Sequence, residues 1–330
     1  MGEGRPTIYD VARHCGVAAS TVSRAFSNPS RVNATTRNLV RVAAEEIGYA
    51  PRPLARAESP GRSRTLMLVV TDIANPYYAA LIKAVQSRAI ERHYTLALTD
   101  SDESPQVEAG NLRHLLANST GGILATSRLA DESVRQLARH RPLVMVNRVI
   151  EGLPSLVVDT AGGMRTAVRH LAAFGHRRIA YLSGPRNSWI NGQRWAAVHA
   201  EATDLGLQSV FLGPHPPTRE GGRDAAEAFV LDGATAAIAY NDLVAIGAMQ
   251  RLQGMGLRLP ADRSIVGCDD IFGADLVMPG LTTIAGPTGQ VGGVAVDLVH
   301  AELTGGTARP MSFDAHLVVR GSTGPATDGN

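Results

Sequence analysis

The sequence predicts a small all-α head followed by an α/β body of two doubly wound lobes, and three observations carry that prediction. The first fifty residues hold three short segments with helical apolar spacing and no β-rich run. From residue 64 onward, short β-rich runs alternate with amphipathic helical stretches. At 330 residues the chain also exceeds the roughly 250–300 at which one hydrophobic core usually stops growing.

The head comes first. Thr7-Ile8-Tyr9-Asp10 reads as a capping box, which starts a helix at about Ile8. Ile8, Val11 and Ala12 recur at helical spacing, and Gly16 supplies the open backbone of a tight stop, with Val17 plugging the turn. A second helix is expected over Ala19–Phe26, with Val22 and Phe26 inward and the small or polar Ser20, Thr21, Ser23 and Arg24 outward, a face able to enter a groove. Asn28-Pro29 breaks it. Asn33 then caps a third helix whose buried stripe is Val40, Ala43, Ala44 and Ile47, ended by Gly48. This spacing fits a helix-turn-helix, and also other small helical bundles.

Charge follows the same division. Residues 1–64 carry ten arginines against five carboxylates, a net of +5. Subtracted from whole-chain totals of 32 basic and 30 acidic residues, that leaves 22 and 25, or −3, for the rest. A basic head suits phosphate, whereas the overall charge of +2 argues for no particular partner.

In the body, Leu66–Val70, Tyr94–Leu98, Gly122–Ala125, Leu143–Val146, Ile179–Leu182, Ala236–Ala239 and Ile265–Val266 read as strands. Tyr77–Arg92, Gly162–Phe174 and Val244–Gly254 read as helices. At least ten such elements, dividing near Asp159, fit two parallel sheets better than one, with a cleft between them.

Several classes are set aside. With hydrophobic residues at 44% and charged residues at 19%, no run approaches the ~18 apolar residues of a membrane span. Met1–Pro6 lacks the charged, apolar, small order of a secretory signal, so a cytoplasmic protein is expected. Cys15 and Cys268 stand far apart without His or Cys companions, which predicts reduced thiols and no metal. Gly184-Pro185 and Gly162-Gly163 complete neither a dinucleotide nor a phosphate loop, and no Gly-x-Ser-x-Gly occurs. Asp269-Asp270 has no histidine at ligand spacing. Neither an enzyme nor a cofactor is expected.

At the level of whole motifs the head resembles the lactose-repressor (LacI/GalR) family. Ile8-Tyr9-Asp10-Val11-Ala12, Gly16-Val17, Thr21-Val22-Ser23-Arg24 and Val32-Asn33-Ala34-Thr35-Thr36-Arg37 carry that resemblance. Asp72-Ile73-Ala74-Asn75-Pro76-Tyr77-Tyr78, Gly121-Gly122-Ile123, Gly175–Ala180, Asn241-Asp242 and Gly267–Asp270 extend it across the body. The resemblance implies a core similar to periplasmic sugar-binding proteins, with three crossovers between its lobes. It also implies a homodimer bound to double-stranded operator DNA and controlled by a small polar effector, sugar-like or another metabolite. Effector binding would then shift the spacing of two heads by linkage.

On that pattern residues 6–50 are the DNA-binding head and 51–63 the hinge. The N-lobe is about 64–159 with 288–314, the C-lobe about 160–287 with 315–324, and 325–330 a disordered tail, Gly321–Pro325 already reading as a loose end. Expected DNA contacts are Thr7, Tyr9, Ala19, Ser20, Thr21, Ser23, Arg24 and Asn33, joined by Leu54 and Arg56 of the hinge. Ala19 and Ser20 stand where bases are read, while Arg24 suits either a guanine edge or a phosphate. Pro53 is tolerable in a first helical turn and Pro60 ends any hinge helix. Glu58 stands where the family places the leucine that wedges into the minor groove, which puts the usual kink in doubt here.

Expected effector contacts are Asp72, Tyr77, Tyr78 and Asn147 from the N-lobe and Trp189, Arg194, Asn241 and Asp269 from the C-lobe. A guanidinium fork, an amide and a carboxylate suit vicinal hydroxyls, and Arg194 equally suits a carboxylate or phosphate. Trp189 and Trp195 are candidate stacking surfaces, because Pro217 occupies a position often aromatic in relatives. Each residue also has a local alternative: Asp269 and Asp270 as turn caps, Asn241 as the N-cap of the following helix, and the tyrosines as half-buried helix residues.

Overall fold

The computed structural model describes residues 6–27, 31–47, 49 and 64–327. These divide into two compact units, the helical head and the body. Expectations resting on Asn28-Pro29, on Gly48 and on the hinge with Leu54, Arg56 and Glu58 lie outside the described residues.

The head consists of α1 (Ile8–Cys15), α2 (Ala19–Ser27) and α3 (Ala34–Glu46). Thr7 and Asp10 form the capping box, with Asp10 Oδ2 accepting from the Thr7 N–H at 2.9 Å and its hydroxyl at 2.6 Å. Gly16 takes the left-handed conformation, φ 67°, and its N–H returns to the Ala12 carbonyl. Asn33 caps α3 by accepting from the Thr36 N–H at 2.8 Å. Val11, Val22 and Val40, one per helix, are wholly buried against Ala12, Ala25, Ala43 and Ala44.

In the body, each lobe holds a six-stranded sheet among the described residues. The N-lobe sheet runs β11 (Met311–Asp314), β5 (Ser155–Asp159), β4 (Leu143–Val146), β3 (Gly121–Ala125), β1 (Thr65–Val70) and β2 (Thr95–Asp100), all parallel. The C-lobe sheet runs β12 (His316–Val318), β10 (Thr282–Ala285), β9 (Ser264–Cys268), β8 (Ala236–Ala239), β6 (Arg178–Leu182) and β7 (Gln208–Leu212). Only the β12–β10 pairing in that sheet is antiparallel.

Helices cover both faces of each sheet. In the N-lobe, alternate β1 residues Leu66, Leu68 and Val70 pack under α4 (Pro76–Glu91) and α11 (Thr288–Leu303). Met67 and Val69 face the other way, toward α5 (Pro105–Asn118) and α6 (Asp131–Ala138). The C-lobe repeats the scheme: Ile179 and Tyr181 lie under α7 (Thr160–Ala173) and α8 (Trp189–Asp204), while Ala180 and Leu182 lie under α9 (Arg219–Asp232) and α10 (Asp242–Gly254). Burial on both faces is what makes these strands read as continuous apolar runs.

The chain passes between lobes three times, at β5 to α7, β10 to α11 and β11 to β12. At the second crossing a Cβ on Gly286 would collide with the Val158 side chain, so glycine permits the two strand ends to approach.

One expectation is overturned. Gly321–Pro325, read as a loose end, lies against the C-lobe: Ser322 is fully buried, its Oγ donates to the Ile265 carbonyl at 2.6 Å, and its carbonyl accepts from the Ile265 N–H at 2.9 Å. Ser264 Oγ accepts from the Gly324 N–H, and the Ala326 N–H donates to Phe174. Small polar residues that carry no hydrophobic signal here satisfy buried polar groups of Ser264, Thr282 and His176.

Candidate functional site

On the head, the helical wheel of α2 turns Val22, Ala25 and Phe26 inward and leaves Ser20 and Arg24, one turn apart, fully outward. Thr21 and Ser23 flank them, half-buried. Ala19 sits at the rim and packs partly against the head core, which limits it to a small apolar contact. Thr7 and Asn33, exposed at the starts of α1 and α3, are engaged in capping, and Tyr9 is 68% exposed.

In the body, the C-terminal ends of the strands of both sheets converge on the cleft between the lobes, the usual location of sites in such sheets. Its lining includes Tyr77, Tyr78, Glu103, Thr126 and Asn147 from the N-lobe and Arg194, Pro217, Tyr240, Asn241 and Asp269 from the C-lobe. Non-glycine residues with positive φ gather at these strand ends: Glu103 (54°), Thr126 (54°), Asn147 (54°) and Asp269 (122°). Such strained backbone marks sites that the surrounding fold over-determines.

Arg194 anchors the C-lobe half. It projects from α8, 4% exposed, and every nitrogen is used: Nε to Thr160 Oγ1 at 3.1 Å, one Nη to the Tyr240 carbonyl, and the other to Asp269 Oδ1 at 3.3 Å. Its guanidinium carbon lies 5.2 Å from the centre of the Tyr240 ring. Burial pushes the Asp269 carboxyl up to about 6 even though Arg194 beside it favours the charged form. Behind it, burial and then repulsion from Asp269 push Asp242 up to about 7; Asp242 accepts from Thr283 at 2.5 Å and from the Ile271 N–H at 2.9 Å. Asn241 does two jobs, capping α10 through the Val244 N–H at 2.9 Å and donating to the Pro217 carbonyl at 3.0 Å.

The N-lobe half rests on the start of α4, fixed by Asn75 as N-cap and Pro76 at the first turn. Asn147 Nδ2 donates to the Tyr77 hydroxyl at 2.7 Å, and Asn147 Oδ1 accepts from the Val158 N–H at 3.1 Å. The Tyr78 hydroxyl lies 2.6 Å from Thr71 Oγ1 and 2.5 Å from Thr126 Oγ1. Tyr77 touches the apolar clusters of both lobes, so its ring bridges the cleft. The remaining space is about 30 Å³, little more than a water molecule. A larger hollow of about 750 Å³ opens beside Ile73, Phe272 and Gly286; its walls are mainly apolar, and it shares Tyr77 and Asp269 with the smaller space, where Arg194, Asn147 and Asn241 gather.

Of the residues read from the sequence, Tyr77, Tyr78, Asn147, Arg194, Asn241 and Asp269 meet at the cleft. Asp72 does not join them; its carboxylate closes its own turn on the Ala74 N–H at 2.8 Å. Trp189 is half-buried at the start of α8 and is not part of the lining. Trp195 stacks on Tyr181 at 5.8 Å and His199 at 5.2 Å, on the other side of α8. The aromatic surface is instead Tyr240, which sequence reading missed; it lies against Gly184, where a Cβ would come within 2.6 Å of the ring. Glu103 and Thr126 were also missed.

A helix-turn-helix head joined to a two-lobed core of periplasmic-binding form defines a class, the transcriptional regulator with a DNA-binding and an effector-binding part. Family models agree: residues 7–52 match "Bacterial regulatory proteins, lacI family" and residues 168–323 match a periplasmic binding protein-like domain. The chain is 31% identical to the HTH-type transcriptional repressor CytR of Escherichia coli (strain K12) over 334 residues, covering 97% of each. It is 31% identical to the HTH-type transcriptional regulator PtxS of Pseudomonas aeruginosa over 332 residues, covering 98% of this chain and 97% of that one. Among solved structures, the lac repressor dimer bound to operator and the anti-inducer ONPF superposes with TM-score 0.79 at 27% identity, covering 97% of this chain and all of that one. The complex of the transcriptional regulator CelR with cellobiose does so at 0.71 and 27%, covering 96% of this chain and all of that one. The chain therefore belongs to the lacI family, whose members are transcriptional regulators rather than enzymes. No described helix is long and apolar enough to cross a membrane.

Proposed function

We propose that this protein is a cytoplasmic, homodimeric repressor that binds a specific operator through α2 and responds to a small polar effector held between the lobes. The observation that carries this reading is the convergence of Arg194, Asp269, Asn147, Tyr77 and Tyr240 at one cleft, on strand ends whose backbone is strained into place. The named relatives support it: one is a repressor, one a dimer on operator DNA and one a complex with a disaccharide.

The polar space of about 30 Å³ is far below the ~300 Å³ at which small-molecule sites begin, so a sugar-sized effector that engages polar groups of both lobes requires lobe movement, with the adjoining hollow of about 750 Å³ available for the rest of the molecule. Because both lobes share three crossovers, that movement repositions the N-lobe, from which the chain leads to the head, and operator affinity changes by the effector's differential affinity for the two lobe spacings. Ser20 and Arg24 supply the outward polar face of α2, and the basic head supplies the salt-dependent attraction.

The test has two stages. Operator is selected from a random duplex library on the full-length protein, and sugars, polyols, nucleobases and small acids are screened by thermal shift. A compound that raises the melting temperature is expected to change operator affinity at least about fivefold, the usual scale of allosteric coupling. Cleft binding with unchanged operator affinity would falsify the allosteric part of the reading.

A further inference from the structure

The hollow of about 750 Å³ beside the polar cleft is more than a small polar effector alone explains, and it lies within the ~300–1,000 Å³ of small-molecule sites. Its walls come from three places. Ile73 and Pro76 belong to the N-lobe at the start of α4, Ile271 and Phe272 follow β9 in the C-lobe, and Pro287 and Gly289 lie where the chain crosses into α11. Tyr77 and Asp269 line both this hollow and the polar space that holds Arg194 and Asn147, so one molecule can occupy the two together.

Two apolar side chains are held in this hollow where water reaches them. Ile73 is 52% exposed and Phe272 is 86% exposed. Both turns are fixed by carboxylates: the Ile73 N–H donates to Asp100 Oδ2 at 2.9 Å and the Ala74 N–H to Asp72 Oδ1 at 2.8 Å, while the Ile271 N–H, just before Phe272, donates to the buried Asp242. Single exposed hydrophobic residues are ordinary, but two fixed in the walls of one hollow form a ready apolar surface.

The polar side chains of the same walls leave no partner for an anion. Among the described lining residues there is no lysine, arginine or histidine. The two carboxylates present are matched to arginines outside the hollow, Asp269 to Arg194 at 3.3 Å and Asp270 to Arg320 at 2.7 Å. An anionic group there would lose water and meet like charge, whereas an apolar or aromatic group would take Ile73 and Phe272 out of water.

We propose that the hollow is a second compartment of the effector site, which takes an uncharged apolar or aromatic substituent, so that the effector is a glycoside-like molecule, polar at one end and apolar at the other, rather than a free sugar or an acid. This rests on the reading of the cleft as the effector site. The cleft groups around Arg194 and Asp269 then hold the hydroxyl-bearing end, and the walls at Ile73 and Phe272 cover the other.

The test uses the full-length protein and, for each of a set of pentoses and hexoses, the free sugar and its methyl, n-propyl, phenyl and carboxymethyl glycosides, by thermal shift and then calorimetry. The n-propyl glycoside is expected to bind roughly tenfold more tightly than the methyl glycoside, the transfer value of two buried methylenes, and the phenyl glycoside at least as tightly as the n-propyl. The carboxymethyl glycoside, close to n-propyl in size but anionic, should show no such gain. Filling the hollow should erase the gain. A Cβ on Gly289 meets nothing within 4 Å, so Gly289→Leu has room for its side chain, and Ala80→Phe fills the hollow from an exposed position on α4. In both variants the ratio of n-propyl to methyl affinity should fall toward one. Equal affinity for the methyl and n-propyl glycosides, a carboxymethyl glycoside that matches the n-propyl, or a ratio unmoved in both variants overturns the proposal and leaves the cleft reading standing. Absence of binding by every member of the set overturns both.

Discussion

Replacing Arg194 with methionine removes a buried guanidinium whose three nitrogens serve Thr160, the Tyr240 carbonyl and Asp269. The substitution keeps much of the volume, so the loss is chiefly of charge and hydrogen bonds. Breaking a buried ion pair from one side costs about 3–5 kcal/mol, because the abandoned charge stays buried. For a domain of this size that is roughly a 10 °C fall in melting temperature. Asp269, already raised to about 6 by burial despite Arg194, must rise further when the arginine goes. A carboxyl whose folded pKa exceeds its unfolded value stabilises at low pH and loses that contribution as pH climbs through the folded pKa. The deficit of Arg194→Met should therefore shrink as pH falls from 8 to 5. Urea unfolding followed by tryptophan fluorescence is a direct assay, since Trp189 and Trp195 lie on the same helix as Arg194. The double variant with Asp269→Asn should recover at least about 1.5 kcal/mol of the single variant's loss, within the range expected for coupled neighbours. A single-variant loss below about 1 kcal/mol, or a double variant as unstable as the sum of the two singles, refutes the ion-pair argument.

Asp242, raised to about 7, should make the core lose stability as pH rises from 5 to 8, by about 2 kcal/mol; Asp242→Asn should flatten that part of the profile in melts across pH. Gly184→Ala places a methyl within 2.6 Å of the Tyr240 ring, so a loss of about 1–3 kcal/mol is expected, seen as a lower urea midpoint at unchanged slope, together with weaker effector binding. Asn33→Ala removes the cap on α3 at a cost of about 1 kcal/mol; hydrogen exchange should quicken over residues 34–46 and stay unchanged in the core sheets.

How much of this is legible in the sequence depends on how local the cause is. The head can be read almost element by element, because Thr7, Asp10, Gly16 and Asn33 act within three or four residues of themselves. Strands β1, β3, β4 and β8 are buried on both faces and announce themselves as apolar runs. Strand β7 is half-exposed, and β10 carries Thr282 and Thr283, whose hydroxyls serve Arg320, Thr323 and Asp242; neither shows an apolar signature. At the cleft, the resemblance locates Arg194, Asn241 and Asp269, but Tyr240 gains its place from Gly184, a partner that no spacing reveals. Trp195 could have been set aside from the sequence, since the residue after Arg194 on a helix points about 100° away from it.

Because each lobe closes its sheet with a segment from the far end of the body, the order of synthesis differs from the order of assembly. Strand β11 completes the N-lobe only after the whole C-lobe from Thr160 to Ala285 has been made, and β12 completes the C-lobe a few residues later. The head can fold as it leaves the ribosome; the N-lobe sheet cannot reach its final edge before residue 314 has emerged, nor the C-lobe sheet before residue 318. A message cut short anywhere between Thr288 and Met311 would thus yield a folded DNA-binding head carrying two sheets with bare edge strands, a product prone to strand-to-strand association rather than a smaller working regulator.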